Sequence, residues 1–220
     1  MQMSMKRSVI GILAAIMLAA GGYVGFQQYR ALQVLQSLRP TVQLASAYLD
    51  EFYALERDHG SISLAQYYEK ADAALNDLDS KLAELKSRSG HEHAELYSIV
   101  AMHVETSRQS IREFSAFARL RLDHESAKKA ADNSVSKLQI SRNYSELKYA
   151  RTNADSAIKE LKEARMKSEK SMALVYASAA QVKSQRHVLK DRFGIEAVVS
   201  QDGLDYVLNK FTSDPGKNSA

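Results

Sequence analysis

Histidines and carboxylates gather in the run HEHAE at residues 91–95. Imidazole and carboxylate side chains are ligands that zinc and related metals take. In a helix His91 and Glu95 would share a face, but His93 would point elsewhere because residues two apart do not meet. His59 would lie about 35–40 Å away along a straight intervening helix. We therefore expect solvated side chains at a helix start rather than a metal site.

Motifs that carry other chemistry are missing from the sequence. It has no cysteine, so it offers no thiolate nucleophile, thiolate metal site or disulfide. No glycine-rich phosphate loop, G-x-S-x-G or H-E-x-x-H motif occurs. The Glu-x-x-His pairs of di-iron bundles are also absent. We expect a protein that is not an enzyme and that binds no cofactor.

The N-terminal segment has the pattern of a membrane anchor. Lys6 and Arg7 precede residues 8–26, a run of 19 residues without a charge. At about 1.5 Å per residue, such a helix spans close to 30 Å, roughly the hydrocarbon thickness of a bilayer. The positive residues favour a cytoplasmic location for residues 1–7. We predict a single-pass signal-anchor at 8–26 in a bacterial-type inner membrane, with the C-terminal domain in the periplasm or outside.

Two alternatives concern this segment. It could be a cleaved signal peptide, because residues 19–21 (AAG) offer a cleavage site, although apolar residues continue to Phe26. Its small residues recur at a spacing of four, which would allow a second membrane helix to approach closely, or they reflect the usual composition of membrane helices. These candidate membrane-packing residues are Gly11, Ala15, Ala19, Gly21 and Gly25.

The rest of the chain is predicted to be all-α. Two prolines and nine glycines leave few helix breakers, and residues 91–193 contain neither. We predict an elongated antiparallel helical bundle or coiled-coil domain over 27–193, with helices at about 27–58, 63–88, 91–131 and 135–193. Pro40 predicts a kink or a fresh helix start. Ser63 and Gln66 resemble a capping box, and residues 131–134 or 141–143 are the weakest points of the long final stretch.

Apolar residues in two helices recur at heptad spacing. The first seam comprises Leu64, Tyr68, Ala71, Leu75, Leu78, Leu82 and Leu85. The second runs every seven residues from Ile140 to Leu189, with one polar exception, Ser168. Its companion positions are mixed and include Arg151, Arg165 and Arg186. Arginine there either lies along the bundle edge with its guanidinium group in water or pairs with a carboxylate on a partner.

The C-terminal tail, residues 194–220, changes character. We predict a short amphipathic helix within 202–211 and disorder from Ser213 onward. Leu204 and Tyr206 of this helix join the three arginines as candidate partner-docking residues.

The net charge is unevenly distributed. Residues 91–192 carry nineteen basic and thirteen acidic side chains, whereas 27–90 carry seven and nine. Nucleic-acid binding is not expected, because acids alternate with the bases and no aromatic platform accompanies them. Anionic lipid headgroups or an acidic partner remain open.

The predicted layout favours a structural or interaction role. It is similar in outline to helical sensor domains and to scaffolding subunits of envelope machines, an analogy of architecture from which function does not carry over. We expect a scaffold subunit that docks protein partners by helix–helix packing, a homo-oligomer being an open variant. The alternative is a four-helix-bundle ligand sensor whose partner carries the output.

Overall fold

A computed structural model gives the backbone of residues 2–57, 63–88, 93–141, 143–197 and 201–212. Side chains are described from residue 28 onward within these ranges, and in the last range for 203–209. The described chain forms five helices and no strand, which confirms the all-α prediction. They are α1 (Gln2–Arg57), α2 (Leu64–Arg88), α3 (Ala94–Ile140), α4 (Tyr144–Phe193) and α5 (Gln201–Thr212).

Helices α1 to α4 run alternately up and down, as in antiparallel helical bundles. Ser46 faces His103 at 3.3 Å and Tyr53 faces Ser110 at 3.5 Å, so α1 and α3 run parallel with matched heptads. Ser178 on α4 also meets Ser110, at 3.2 Å. On α2, the early Tyr68 contacts the carbonyl of Ser115 and the later Asp79 pairs with Arg108 of α3. Helices α2 and α4 are therefore antiparallel to α1 and α3.

Helix α1 continues through Pro40, so the predicted fresh helix start does not occur. Pro40 lies on the exposed side of the helix. A proline removes the backbone hydrogen bond to the carbonyl four residues earlier, and water can satisfy that carbonyl on an exposed face. The parts of α1 before and after Pro40 are thus one helix.

Helix α2 begins with the predicted capping box. The backbone N–H of Ser63 donates to Gln66 Oε1 at 2.9 Å, and the N–H of Gln66 donates to Ser63 Oγ at 3.3 Å. The buried face is rotated slightly from the predicted seam, because Tyr67 and Ala74 are buried while Leu64 is exposed. Its six buried residues are Tyr67, Ala71, Ala74, Leu78, Leu82 and Leu85.

Large rings fill the bundle near the end of α1. Phe52 packs edge-on against Tyr67 with ring centroids 5.3 Å apart, and Tyr53 packs against Phe114 at 5.2 Å. Edge-to-face contacts suit the aromatic quadrupole and add about 0.5–1.5 kcal/mol to area burial. This cluster ties α1, α2 and α3 together.

The break between the last two long helices falls at residues 141–143, so the predicted helix ends at 131 and 135 are wrong. Ala131 is 3% exposed and lies inside α3. Ser141 adopts an extended backbone, and the side chain of Asn143 accepts the N–H of Glu146 at 2.9 Å. Asparagine is a strong N-cap, which sets the start of α4.

The predicted tail helix is confirmed as α5, which packs on α1 and α4. Helix α4 ends at Gly194, whose φ of 61° is a left-handed conformation that glycine adopts without strain. Gly203 lets α5 approach α1, because a Cβ there would lie 2.9 Å from Tyr53 Cβ. The predicted disorder at 213–220 lies outside the described residues.

Among the residues whose side chains are described, no helix is both long and apolar enough to cross a membrane. The predicted anchor at 8–26 and its packing residues Gly11, Ala15, Ala19, Gly21 and Gly25 lie outside those described side chains.

Candidate docking surface and buried polar layer

Helices α3 and α4 extend past the end of α1 as a two-helix projection, which we call the distal hairpin (residues 122–170). Its seam is built from small residues, since the buried positions in it are Ala131, Ala150, Ala154 and Ala157. Alanine lets two helices approach closely, but each methyl buries little apolar area. The distal hairpin is therefore a slender extension of the bundle.

One face of α4 changes its environment at the end of the bundle. Within the bundle, Ala179 and Arg186 on this face are buried. In the distal hairpin the same heptad positions are exposed, and we call this set the α4 stripe: Tyr144, Arg151, Ile158 and Arg165. The stripe continues a packing face beyond the helices that cover it.

The predicted docking arginines thus fall in two environments. Arg151 is exposed, and Arg165 is exposed with Nε donating to Glu169 at 2.7 Å. Arg186 instead faces the inside of the bundle, where Nη2 lies 3.3 Å from Asp50 Oδ1 and both side chains are 7% exposed. Helix α4 passes from the distal hairpin into the bundle, where more helices surround it. Arg186 is therefore buried, although Arg151 and Arg165 at equivalent heptad positions are exposed.

The two tail candidates, Leu204 and Tyr206, lie on α5. Leu204 is 3% exposed and belongs to the hydrophobic core. Tyr206 is half-buried and packs against that core. The contacts of both residues hold α5 to the bundle.

The Asp50–Arg186 pair belongs to a polar layer inside the bundle. Beside it, Ser46 Oγ lies 3.3 Å from His103 Nε2, and Gln185 donates to Thr106 Oγ1 at 2.8 Å. The layer also includes the serines at 107, 110 and 178. It joins α1, α3 and α4 through polar contacts where the core is otherwise apolar.

Several atoms of this layer have no hydrogen-bond partner within the described chain. They are Arg186 Nε and Nη1, Ser107 Oγ, His103 Nδ1 and Gln185 Oε1. A buried polar atom without a partner costs about 1–3 kcal/mol. The layer therefore offsets part of the stability that the surrounding apolar residues supply.

Burial, with a smaller contribution from the nearby Arg186 guanidinium, lowers the pKa of His103 from 6.5 to about 3. The imidazole is thus neutral inside the bundle at neutral pH. Burial also raises the pKa of Tyr53 to about 12, although its contact with Ser110 opposes the rise.

Sequence reasoning missed this layer, although it left a signal. Ser46, Asp50 and Tyr53 follow Val42 at helical spacing, as do His103, Ser107 and Ser110 after Val100. Polar residues interleaved with an apolar stripe on two helices indicate an internal polar layer once the helices are known to face each other.

No metal cluster occurs among the described residues. His91 and Glu92 of the HEHAE run lie outside them, and His93 precedes α3 in a left-handed conformation.

Two surface depressions lie near the base of the distal hairpin. The larger, of about 460 Å³, is lined by Tyr68, Ser115, Ala116, Arg119 and Leu120. Acidic side chains line the smaller, and neither includes an arginine of the α4 stripe.

No family model, curated protein or solved structure matches this chain. Functional inference therefore depends on the bundle, the distal hairpin and the polar layer themselves.

Proposed function

We propose that this protein is a membrane-anchored, extracytoplasmic structural subunit that docks a helical protein partner along its distal hairpin. The observation that carries the proposal is the α4 stripe, whose heptad face leaves the bundle and continues without a covering helix. The partner would supply the covering helix, and this protein would act as a scaffold without a catalytic step.

The anchor half of the proposal is supported by residues 8–26 and the two basic residues before them. Helix α1 runs unbroken from Gln2 to Arg57, so an anchor at its start would connect rigidly to the bundle. The basic residues favour the periplasm, or an equivalent outer space, for the body.

The docking half is supported by the chemistry of the α4 stripe. Ile158 is 37% exposed, whereas Ala179 at the equivalent heptad position inside the bundle is buried, and Met166 beside the stripe is 61% exposed. Arg151 and Arg165 flank this apolar surface. A helix with apolar residues at heptad spacing and carboxylates beside them would match it.

A ligand-sensing bundle is the second candidate, and the polar layer favours it. Arg186 keeps two guanidinium nitrogens buried without a partner in the described structure, which an anion could satisfy. Neither surface depression is lined by Arg186, however. Docking is therefore the better supported function.

Site-specific photo-crosslinking in native membranes tests the proposal. The photo-reactive residue replaces Ile158 or Arg165 in the full chain, and Ala73 on the exposed side of α2 is the matched control position. We expect a defined partner protein at 158 and 165 and none at 73. Crosslinks only between copies of this chain, or none at the stripe, would contradict docking of a separate partner.

A further inference from the structure

The three most exposed large hydrophobic side chains in the described chain lie together at the tip of the distal hairpin, which we call the apex (residues 137–151). Tyr144 is 84% exposed, Ile140 75% and Tyr149 72%. They flank the short connection at 141–143, and Leu147 beside them is 43% exposed. An apolar group concentrated at one end of a slender projection indicates a contact made by that end.

The same apex is basic. Residues 137–151 contain four basic side chains and one carboxylate, Glu146, for a net charge of +3. Lys137, Lys148 and Arg151 are exposed, and none of them forms an ion pair within the part of the chain that the structure describes. Their charges are therefore available to an anionic surface.

We propose that this apex binds the surface of a bilayer that contains anionic lipids. Tyrosine rings suit the headgroup region because one end is apolar and the other wet, and Ile140 can enter deeper. Lysine and arginine near such a surface strengthen binding by about fivefold each. Exposed apolar residues surrounded by bases are the combination that an anionic interface recognises.

The shape of the apex favours lipid over a protein partner. Two helix ends form a narrow convex tip, whereas a stable protein interface buries about 800 Å² on each side. A bilayer can deform around such a tip. A second copy is disfavoured by charge, since it would bring a net +3 against another +3.

This inference goes beyond the proposed docking function and does not depend on it. The apex and the α4 stripe share Tyr144 and Arg151, but the docking test uses Ile158 and Arg165, which lie on the side of the hairpin outside the apex. Helices α1 and α3 run parallel, so the apex lies at the end of the molecule opposite the start of α1. With an anchor at 8–26, the chain would hold two lipid surfaces apart.

The absence of cysteine allows a direct test with a single fluorescent label. The full chain carries I140C or, as the matched control, A73C, each labelled with an environment-sensitive dye. The labelled protein is placed in phosphatidylcholine nanodiscs, and vesicles are then added. We expect a blue shift of the I140C label with vesicles containing about one-third phosphatidylglycerol, and none with pure phosphatidylcholine or at A73C.

A charge variant completes the test. Replacing Lys137, Lys148 and Arg151 with glutamine should weaken vesicle binding roughly a hundredfold, from about fivefold per residue. The matched control replaces three exposed lysines on the hairpin sides, Lys159, Lys162 and Lys167, and should weaken binding much less. Equal shifts with both vesicle types, equal losses in both variants, or no shift at I140C would overturn the proposal. A blue shift of the I140C label without vesicles would indicate that the apex contacts a second copy of this chain instead. Each of these outcomes is independent of whether the α4 stripe binds a partner.

Discussion

At the scale of single residues, the Asp50–Arg186 pair joins α1 to α4 inside the bundle. Replacing Asp50 with alanine leaves the buried guanidinium without this carboxylate. Breaking a buried pair from one side typically costs about 3–5 kcal/mol, because the remaining charge stays desolvated. We expect a loss of that size in the free energy of unfolding of D50A, measured by urea denaturation.

The double variant D50L/R186M tests whether the stability lost in D50A comes from the unpaired charge of Arg186. Replacing a buried ion pair by apolar residues is often neutral or stabilising, by about 1–4 kcal/mol. The double variant should therefore be more stable than D50A. The exposed Lys183–Asp205 pair supplies the control, because K183M should change stability by less than about 1 kcal/mol. A double variant no more stable than D50A would contradict this account.

His103 makes the bundle sensitive to acid. In the unfolded chain its imidazole binds a proton below about pH 6.5, whereas in the folded chain, with its pKa lowered to about 3, it does not. The unfolded state therefore binds more protons between pH 6.5 and 3, and stability falls as the pH falls through that window. Between pH 7.5 and 5, His103 should remove roughly 2 kcal/mol.

The variant H103Q tests this contribution, since glutamine cannot titrate and its amide can still reach Ser46. Urea unfolding at pH 7.5 and 5 should show a smaller acid-dependent loss for H103Q than for the native chain. The exposed His187 provides the control, and H187Q should keep the native dependence. If the free energy of unfolding changed equally with pH in H103Q and the native protein, folding would not lower the pKa of His103.

At the scale of elements, the distal hairpin should open more readily than the bundle. Its seam is made of alanines, while the bundle buries Phe52, Tyr53 and Phe114. Native-state hydrogen exchange should therefore be faster in residues 122–165 than in 100–118. In A154G, the lost methyl and the lower helix propensity should speed exchange across the hairpin about 10- to 30-fold.

The control for this prediction is A73G, which lowers helix propensity equally at an exposed position of α2. It should leave hairpin exchange unchanged. If A154G sped exchange equally throughout the bundle, the hairpin and the bundle would open as one unit.

The sequence predicted elements well where a local signal sets them. The capping box at Ser63 depends on neighbouring residues and is present. The stretch 141–143, which separates α3 from α4, was one of the two breaks that the sequence offered. The break expected at 131–134 failed because Asp132 and Asn133 are tolerated on the exposed side of α3 while Ala131 fills the seam. The Asp50–Arg186 pair could not be predicted, because the two residues meet only when α1 and α4 are placed side by side.

At the scale of the whole molecule, the distribution of buried residues makes the protein a rod with different ends. Side chains of α1 from Leu38 onward enter the core, whereas the hairpin apex carries the most exposed apolar residues. The α4 stripe runs from the apex back toward the bundle. A rod of this kind sets a distance between whatever holds its start and whatever meets its apex.

That distance is a measurable prediction. The contacts between α1 and α3 keep an offset of 57 residues, which places Ser37 level with residue 94. From there to Ile140, α3 rises about 70 Å at about 1.5 Å per residue. With spin labels on S37C and I140C in the full chain, pulsed dipolar spectroscopy should give a mean distance near 70 Å.

A pair within the bundle, S37C with A73C, provides the control, since α2 runs back alongside α1 and should give a clearly shorter distance. Addition of anionic vesicles should narrow the S37C–I140C distribution without shortening its mean, because a tip contact restrains the hairpin along its own axis. A mean below about 50 Å would require α3 to bend at the bundle edge, since a straight helix of that length cannot be so short. Such a bend would fold the apex and the α4 stripe back onto the bundle and remove the basis for both proposed contacts.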